Sequence, residues 1–481
     1  IDFETEGLNW QINKPLYLGL ATDTFSGYIN IQEYSKDTLS SFFKDFVKSH
    51  RLILQNAKFD FHFLDKYIQI NTLNDITFTD TMLISQIIDE NKSHGLDNMT
   101  ALWLGESYLE NKRKVDTYVK ENKFKRLKKP WSDIPEELLA ARGEEDARNT
   151  YTLYQLLRPR LTETKVYEIE KKLLLVLLRM ERNGALIDKE YLIRLRDEIR
   201  DKIKILEDKY PSINLGSSQE KGEYLFGFLG LTPSAYTPKT HKPQTTVEAL
   251  ALIDHEAARD MTEYNTLVHT LSTYVNGFLE KLDDNNFLHC SFKQMGARTG
   301  RMSCVNPNLQ QLPKDGRLGQ WIKSAFIGNI TAYDYSQMEA VIYAYENHED
   351  MLIEVIERGE DVYGYLAKYL NNIDTFTKTQ RDLCKGLFLG RIYGMGNRKF
   401  IQQSNGLDPI ATKSFFGKLD SMFKNVDNQI ASRGYVETII GRKRRLEVKD
   451  AYKGLNSIIQ GSSADIVKMA MAVPPHLYRL I

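Results

Sequence analysis

The 481-residue sequence has few cysteines: Cys290, Cys304 and Cys384 lie far apart, and no CxxC pair is present. Neither a disulfide framework nor a zinc site is therefore expected, and a reducing, cytoplasmic compartment fits. The sequence has no apolar run of membrane-spanning length and no recognisable signal peptide, so no membrane association is expected. An excess of one charge is also lacking, because Lys plus Arg and Asp plus Glu both total 64. A polyanionic partner would have to be bound by local basic patches.

The length allows two or three domains with sizeable cores. Residues 1–158 alternate predicted strands with helical spacing at 39–47, which indicates an α/β or mixed domain. The predicted strands are 1–5, 16–22 and 27–34. Residues 159–285 are mostly helical, and strands return after Leu288 before long helices. The predicted fold class is therefore multidomain, α/β followed by α+β.

Acidic side chains are scattered through the first domain. Asp2 and Glu4 share one face of a strand, where two carboxylates repel unless a cation lies between them. Alone, this pattern more often marks a solvated strand face. Asp60 stands where a short strand gives way to a predicted helix, and Asp146 lies within a predicted helix at 135–157. Carboxylates without His or Cys are typical ligands of Mg²⁺ or Mn²⁺, although an acidic helix surface is the alternative for Asp146.

The second half contains four polar segments. Residues 299–313 include Arg301, Asn308 and Gln310. Guanidinium and amide side chains of this kind can contact bases and phosphates, although the segment could also be an ordinary polar loop. Residues 330–334 predict a strand ending in Asp334, where an acid suits a metal site or a helix N-cap.

The third segment has Arg381, Lys385, Leu389 and Tyr393 at intervals of four, a stripe spanning about 18 Å on a helix. Two cations, an apolar residue and a ring match a nucleoside triphosphate laid lengthwise, although a cationic amphipathic helix has the same pattern. In the fourth segment, Asn456 and Gln460 lie one helical turn apart, and their amides suit a base-pair edge or ordinary exposed positions. A basic run is usually a solvated face, but the nearby run 442–445 gains weight as a nucleic-acid contact from these motifs.

The motifs in the first half, 2–4, 56–60 and 145–150, resemble the three exonuclease motifs of the DEDD nuclease superfamily. The resemblance implies a ribonuclease-H-like sheet that holds two divalent ions, with the ligands Asp2, Glu4, Asp60 and Asp146. Such ions activate a water and stabilise the leaving 3′ oxygen. The sequence departs from the family at Arg142, where a Tyr that orients the water is usual.

The segments of the second half, in this order, resemble family A DNA polymerases, the bacterial DNA polymerase I and phage type. The resemblance covers essentially the whole chain and implies a right-hand polymerase that uses DNA primer–template, dNTPs and two Mg²⁺ (or Mn²⁺) ions per active site. The implied metal-site residues are Asp334 and Tyr335, and the implied nucleotide-site residues are Gln337, Glu339 (a steric gate against a 2′-hydroxyl), Arg381, Lys385, Leu389 and Tyr393. The implied DNA contacts are Arg301, Asn308, Gln310, Asn456 and Gln460.

The resemblance also implies a division into domains. The predicted parts are exonuclease 1–158, thumb 159–285, first palm part 286–345, fingers 346–433 and second palm part 434–481. Leu389 replaces the usual Phe or Tyr, and Tyr452 stands where an Arg is frequent. The second palm carboxylate is missing before Ile481, so we expect the sequence to stop before that motif, just as Ile1 suggests that it starts inside a longer protein.

The predicted function is template-directed DNA synthesis with 3′→5′ proofreading on a single-stranded 3′ end. The alternative is a 3′→5′ exonuclease whose polymerase-like half clamps DNA; a single-subunit RNA polymerase and a non-catalytic binding module are further rivals. We expect a monomer in the cytoplasm, or in a host cytoplasm if phage-encoded, with replisome factors left open as partners. The compact layout, in which no 5′-nuclease domain is recognised, favours a phage enzyme by analogy.

Overall fold

A computed structural model of the chain describes residues 1–69, 76–313 and 316–472. The described residues form two compact units. The first comprises Ile1–Arg179, Lys293–Ser303 and the described residues from Asp334 onward, and the second comprises Met180–Phe292 and Cys304–Tyr333. None of the described helices is both long enough and apolar enough to cross a membrane.

Strands and helices alternate at the start of the chain. They are β1 (Asp2–Thr5), β2 (Pro15–Ala21), β3 (Ser26–Asn30), α1 (Lys36–Ser49), β4 (Leu52–Leu54), α2 (Ala57–Leu64), β5 (Phe78–Asp80), α3 (Thr81–Ile88), α4 (Leu96–Trp103), α5 (Glu110–Glu121), α6 (Phe124–Leu127), α7 (Glu136–Leu157) and α8 (Thr164–Asn183). Helices predominate in the middle: β6 (Ala185–Leu186), α9 (Lys189–Lys209), α10 (Ser218–Gly222), α11 (Val247–Leu250), α12 (Glu256–His269), α13 (Gly277–Leu279), β7 (Phe287–Leu288), β8 (Ser291–Lys293), β9 (Ser303–Val305) and α14 (Gly316–Lys323).

The last part is again mostly helical. Its elements are α15 (Met338–Glu346), α16 (Asp350–Glu357), α17 (Val362–Asn371), α18 (Lys378–Ile392), α19 (Asn397–Gln403), α20 (Pro409–Arg433), β10 (Tyr435–Glu437), β11 (Lys443–Arg445) and α21 (Gly454–Met471). β10 and β11 form an antiparallel ribbon.

The N-terminal sheet pairs β1, β2 and β3 in antiparallel order, and β4 pairs with β5 in parallel. Helix α1 begins where Ser35 accepts a hydrogen bond from the Thr38 amide, a typical N-cap. The helix predicted at 39–47 is confirmed, but its buried residues are Leu39, Phe43 and Val47, whereas Phe42, predicted on the same face as Leu39 and Phe43, is 37% exposed.

Two predicted strands differ from the structure. The strand predicted at 27–34 ends at Asn30, because the Asn30 side chain accepts a hydrogen bond from the Gln32 amide and starts a 3₁₀ turn at Ile31–Glu33. The strand predicted at 330–334 is wrong for the described residues: none of them pairs with this segment, and a strand requires a hydrogen-bonded neighbour.

Helix α18 is fixed at its start by a capping box, in which Thr377 and Gln380 satisfy each other's backbone amides. Its buried face contains Cys384, Leu387 and Phe388, which lie in an apolar core formed with the neighbouring helices. The cationic stripe of the same helix is consequently left on the other side.

Candidate active sites

Three carboxylates converge at the N-terminal sheet. β1 supplies Asp2 and Glu4, and α7 supplies Asp146; one oxygen from each lies within 4.8 Å of the others. Glu4 is 6% exposed and Asp146 is 4% exposed, so the group is largely removed from water. The predicted helix at 135–157 is confirmed, and it is this helix that brings Asp146 to the strand.

Two glycines allow α7 to approach the sheet closely. A Cβ atom on Gly19 of β2 would lie 2.0 Å from the carbonyl oxygen of Gly143, and a Cβ on Gly143 would lie 3.1 Å from Cγ of Glu4. The absence of side chains at these positions therefore sets the distance between Asp146 and the strand that bears Glu4.

Asp60 lies beside this group but not in it. It is part of the first turn of α2, not at a junction between a strand and a helix, so that detail of the prediction is wrong. Its Oδ1 accepts a hydrogen bond from the Phe3 amide at 3.1 Å, and its side chain is buried against β1. The helix begins earlier than predicted because the backbone amides of Asn56 and Ala57 are held by the Asp80 carboxylate.

Burial makes the charged carboxylates costly. It raises the pKa of Glu4 and of Asp60 well above the usual range, and it raises the pKa of Asp146 to about 8, with repulsion from Asp2 adding to the effect. Glu4 Oε1, Asp60 Oδ2 and Asp146 Oδ1 are buried and accept no hydrogen bond from the residues that the structure describes. Oxygen atoms in this state suit a hard divalent cation, so the residues present fit such an ion.

Neighbours of Asp146 on α7 have other roles. Glu145 accepts hydrogen bonds from the amides of Asn111 and Lys112, both at 3.0 Å, and so holds the first turn of α5. Arg142, one turn before Asp146, places its Nε 3.3 Å from both Glu4 Oε1 and Asp146 Oδ2. Sequence reasoning identified Arg142 as a departure but not as a partner of the acids.

A second group forms around Glu339 on α15. Glu339 Oε1 accepts from Nη2 of Arg301 at 2.5 Å, and Oε2 accepts from the hydroxyl of Tyr393. The Gln460 side chain hydrogen-bonds the same tyrosine, whose pKa burial and the Glu339 carboxylate raise to about 12. Four residues predicted from separate motifs are thus brought together.

The cationic stripe of α18 contacts two residues that sequence reasoning missed. Arg381 pairs with both oxygens of Asp361, at 3.1 Å from Nη2 to Oδ1, and Asp361 also caps α17. Arg381 and Lys385 each lie 5.6 Å from the ring centre of Tyr363, within cation–π range. The signal available in the sequence was an Asp directly before helical spacing, which marks an N-cap. Leu389 is half-buried on the same helix.

The predicted palm segment lies at the surface. Asp334 is exposed and Tyr335 is 50% exposed, in a stretch without regular structure. Gln337 has a left-handed backbone (φ 52°) just before α15, and its Oε1 is buried. Among the described residues, Asp334 is not part of any cluster of three potential metal ligands.

The predicted DNA contacts fall in both units. Asn456 lies on α21 in the first unit, half-buried, four residues before Gln460. Asn308 lies in the second unit, where its side chain accepts a hydrogen bond from the amide of Gln310 and starts a 3₁₀ turn.

The basic run at 442–445 is not a free phosphate-binding patch. Arg442 pairs with Glu170 and Asp465, Lys443 with Glu163, Arg444 with Glu90, and Arg445 with both Glu90 and Glu163. Neither a solvated face nor a free nucleic-acid contact describes this run: its charges are paired within the protein and join the β10–β11 ribbon to the N-terminal part of the same unit.

An acid-rich sheet thus comes first in the chain, and a mostly helical part with a cationic stripe follows it. The family described as 3′-5′ exonuclease matches residues 1–162, and DNA polymerase family A matches residues 189–477. The chain belongs to DNA polymerase family A.

Individual relatives agree with this assignment. DNA polymerase I of Borreliella burgdorferi is 30% identical over 98% of this chain and 55% of its own length, and that of Rhizobium leguminosarum is 29% identical over 87% and 44%. The chain spans about half the length of these curated relatives. They are bacterial, so a phage origin stays a prediction.

The fold is also that of a solved structure, the POL domain of Pol1 from M. smegmatis in complex with DNA primer-template and dNTP. The TM-score is 0.75 at 23% identity, over 96% of this chain and 82% of that chain. At this identity the likeness concerns the fold alone.

Proposed function

We propose that this chain extends a DNA primer by template-directed addition of dNTPs and removes nucleotides from a 3′ end with its N-terminal part. The observation that most supports synthesis is the meeting of Arg301, Glu339 and Tyr393, from three distant segments, at the end of the cationic helix α18. Membership of family A supports the same reaction class.

Different residues of the polymerase half contact different parts of the incoming nucleotide. Arg381 and Lys385 neutralise the triphosphate, since cations stabilise charge on a transferring phosphoryl group. Leu389 and Tyr393 offer apolar surface to the sugar and base, and Glu339 leaves no space for a 2′-hydroxyl. Gln337 is a further residue of this nucleotide-binding site.

The template–primer is held by polar side chains. Arg301, Asn456 and Gln460 contact the minor groove of the template–primer, and Asn308 and Gln310 are further DNA-binding residues.

A divalent ion, Mg²⁺ or Mn²⁺, two per site, supplies Lewis-acid stabilisation of the phosphoryl oxygens and an activated nucleophile. In the polymerase half, Asp334 and Tyr335 would hold it. In the exonuclease half the ligands would be Asp2, Glu4, Asp60 and Asp146. The unsatisfied carboxylate oxygens there support this assignment.

The remaining expectations are part of the same proposal. The exonuclease domain is 1–158, followed by thumb 159–285, palm 286–345 and 434–481, and fingers 346–433. The partners are DNA primer–template, dNTPs and a single-stranded 3′ end, and the enzyme acts as a monomer in the cytoplasm.

Two substitutions test the proposal. Asp334→Ala should abolish extension of a labelled primer while 3′ degradation persists, and Asp146→Asn should do the reverse. Primer extension that survives Asp334→Ala at the wild-type rate would contradict the polymerase assignment.

The choice between dNTPs and rNTPs distinguishes the proposed function from the alternative functions. The wild-type protein should incorporate dNTPs in strong preference to rNTPs, which an RNA polymerase would not. Degradation of DNA without any incorporation would instead identify a nuclease with a DNA-clamping half.

A further inference from the structure

The exonuclease carboxylates contact a cation that belongs to the chain itself. Arg142 Nε lies 3.3 Å from Glu4 Oε1 and 3.3 Å from Asp146 Oδ2, and it donates a hydrogen bond to the latter. Both acids belong to the group whose oxygens converge within 4.8 Å. Arg142 therefore touches the same carboxylates that a divalent ion would take.

The backbone and a ring hold the guanidinium in this place. Arg142 and Asp146 lie one turn apart on α7, so their side chains share a face. The guanidinium carbon of Arg142 lies 5.1 Å from the ring centre of Trp131, within cation–π range, and its side chain is 19% exposed. An arginine held between an indole and two acids has few other orientations open to it.

Charge gives this contact a consequence. Asp2, Glu4 and Asp146 bring three carboxyl groups together at a site with little water, where their ionised forms repel one another, and Arg142 adds one positive charge. An arginine side chain keeps its charge at any working pH, and this guanidinium lies 3.3 Å from two of the three carboxylates. The acids that an ion would neutralise are already partly neutralised.

We propose that Arg142 is an internal cation of the exonuclease site, which stabilises the carboxylate group when no divalent ion is bound and weakens the binding of that ion. It is a positioning residue for Glu4 and Asp146. The inference rests on the proposed exonuclease site, and it assigns to Arg142 a competition with the ion instead of the orientation of a water.

The test measures Mn²⁺ binding to the full chain by titration calorimetry, with Arg142→Gln as the neutral variant. Arg113→Gln is the matched control, because Arg113 is an exposed arginine of the same domain that pairs with Glu106. We expect Arg142→Gln to bind Mn²⁺ at this site about tenfold more tightly, since one buried unit charge is removed from beside the ion. It should also melt at a lower temperature than the wild type in EDTA, whereas Arg113→Gln should change neither quantity.

Further variants assign the effect. Asp146→Asn combined with Arg142→Gln should lose the added Mn²⁺ affinity, which separates this site from the polymerase half. Arg142→Lys keeps the charge and should bind Mn²⁺ like the wild type. Arg142→Tyr is a second neutral variant, and tighter binding is expected in it as well, so the comparison survives if Arg142→Gln does not fold.

Unchanged or weaker Mn²⁺ binding in the folded neutral variants would overturn the proposal. Binding and melting do not depend on catalysis, so they remain interpretable if the chain proves to lack exonuclease activity.

Discussion

The buried ion group around Glu170 offers a sharp test of what holds the first unit together. Glu170 on α8 is 0% exposed, and its Oε1 accepts from Arg442 Nη2 at 2.5 Å and from Lys468 Nζ at 2.6 Å. Its Oε2 accepts from the Gln294 amide at 2.6 Å. Asp465 holds Arg442 from the other side at 2.6 Å, so two acids balance two bases away from water.

Glu170→Gln leaves one uncompensated positive charge in this group. Removing one partner of a buried ion pair costs about 3–5 kcal/mol. Arg442 retains Asp465, and burial already lowers the pKa of Lys468 to about 8, so this lysine can lose its proton at modest cost. We therefore expect the lower end, a loss of about 3 kcal/mol in the free energy of unfolding and about 5–10 °C in Tm.

Denaturant titration and calorimetry measure the change, and two variants control it. Glu168→Gln alters an exposed acid of the same helix and should change the free energy of unfolding by less than about 0.5 kcal/mol. The double variant Glu170→Gln/Lys468→Met restores charge balance and should recover part of the loss. If Glu170→Gln is as stable as Glu168→Gln, or if the double variant is no better than the single, the group does not stabilise the unit by charge pairing.

Three more outcomes follow from particular contacts. Gly19→Ala should push α7 away from β2, because the new Cβ would lie 2.0 Å from the carbonyl oxygen of Gly143. The rate of 3′ degradation should fall at least about tenfold, while the rate of primer extension stays within about twofold of the wild type. Equal loss of both activities would contradict this. Asp361→Asn keeps the cap of α17 but removes the negative charge that pairs with Arg381, so Arg381 is free to bind the triphosphate. Steady-state kinetics should therefore give a lower KM for dNTP. A higher KM would mean that Asp361 positions Arg381 instead. Between pH 8 and 10 the folded state should bind fewer protons at Lys468 than the unfolded state, so the free energy of unfolding should rise by up to about 1.4 kcal/mol per pH unit in urea titrations; an equal slope in Lys468→Met would refute this.

Local patterns were enough for the elements that depend on neighbours in sequence. The helical spacing at 39–47 and the four-residue stripe of α18 both predicted helices that the structure contains, because side chains three and four apart share a helix face whatever surrounds them. The acidic pair Asp2 and Glu4 shares a strand face for the same reason. The order of motifs predicted the family.

Elements that depend on distant partners were not predictable in this way. The segment at 330–334 has the alternation of a strand, but no described residue supplies a neighbouring strand. The run at 442–445 has the composition of a phosphate-binding patch, but Glu90 and Glu163 lie hundreds of residues away in sequence and adjacent in space. Composition does not reveal which charges are already paired.

The sequence by itself determined the family, the types of residue at each site and the helices that present them, since these depend on side-chain chemistry and on spacing of a few residues. Only the tertiary structure decided which charges meet: that Arg142 lies between Glu4 and Asp146, and that Asp361 holds Arg381. The reason is physical, because an ion pair forms between groups within about 4 Å of each other, and only the folded chain sets that distance.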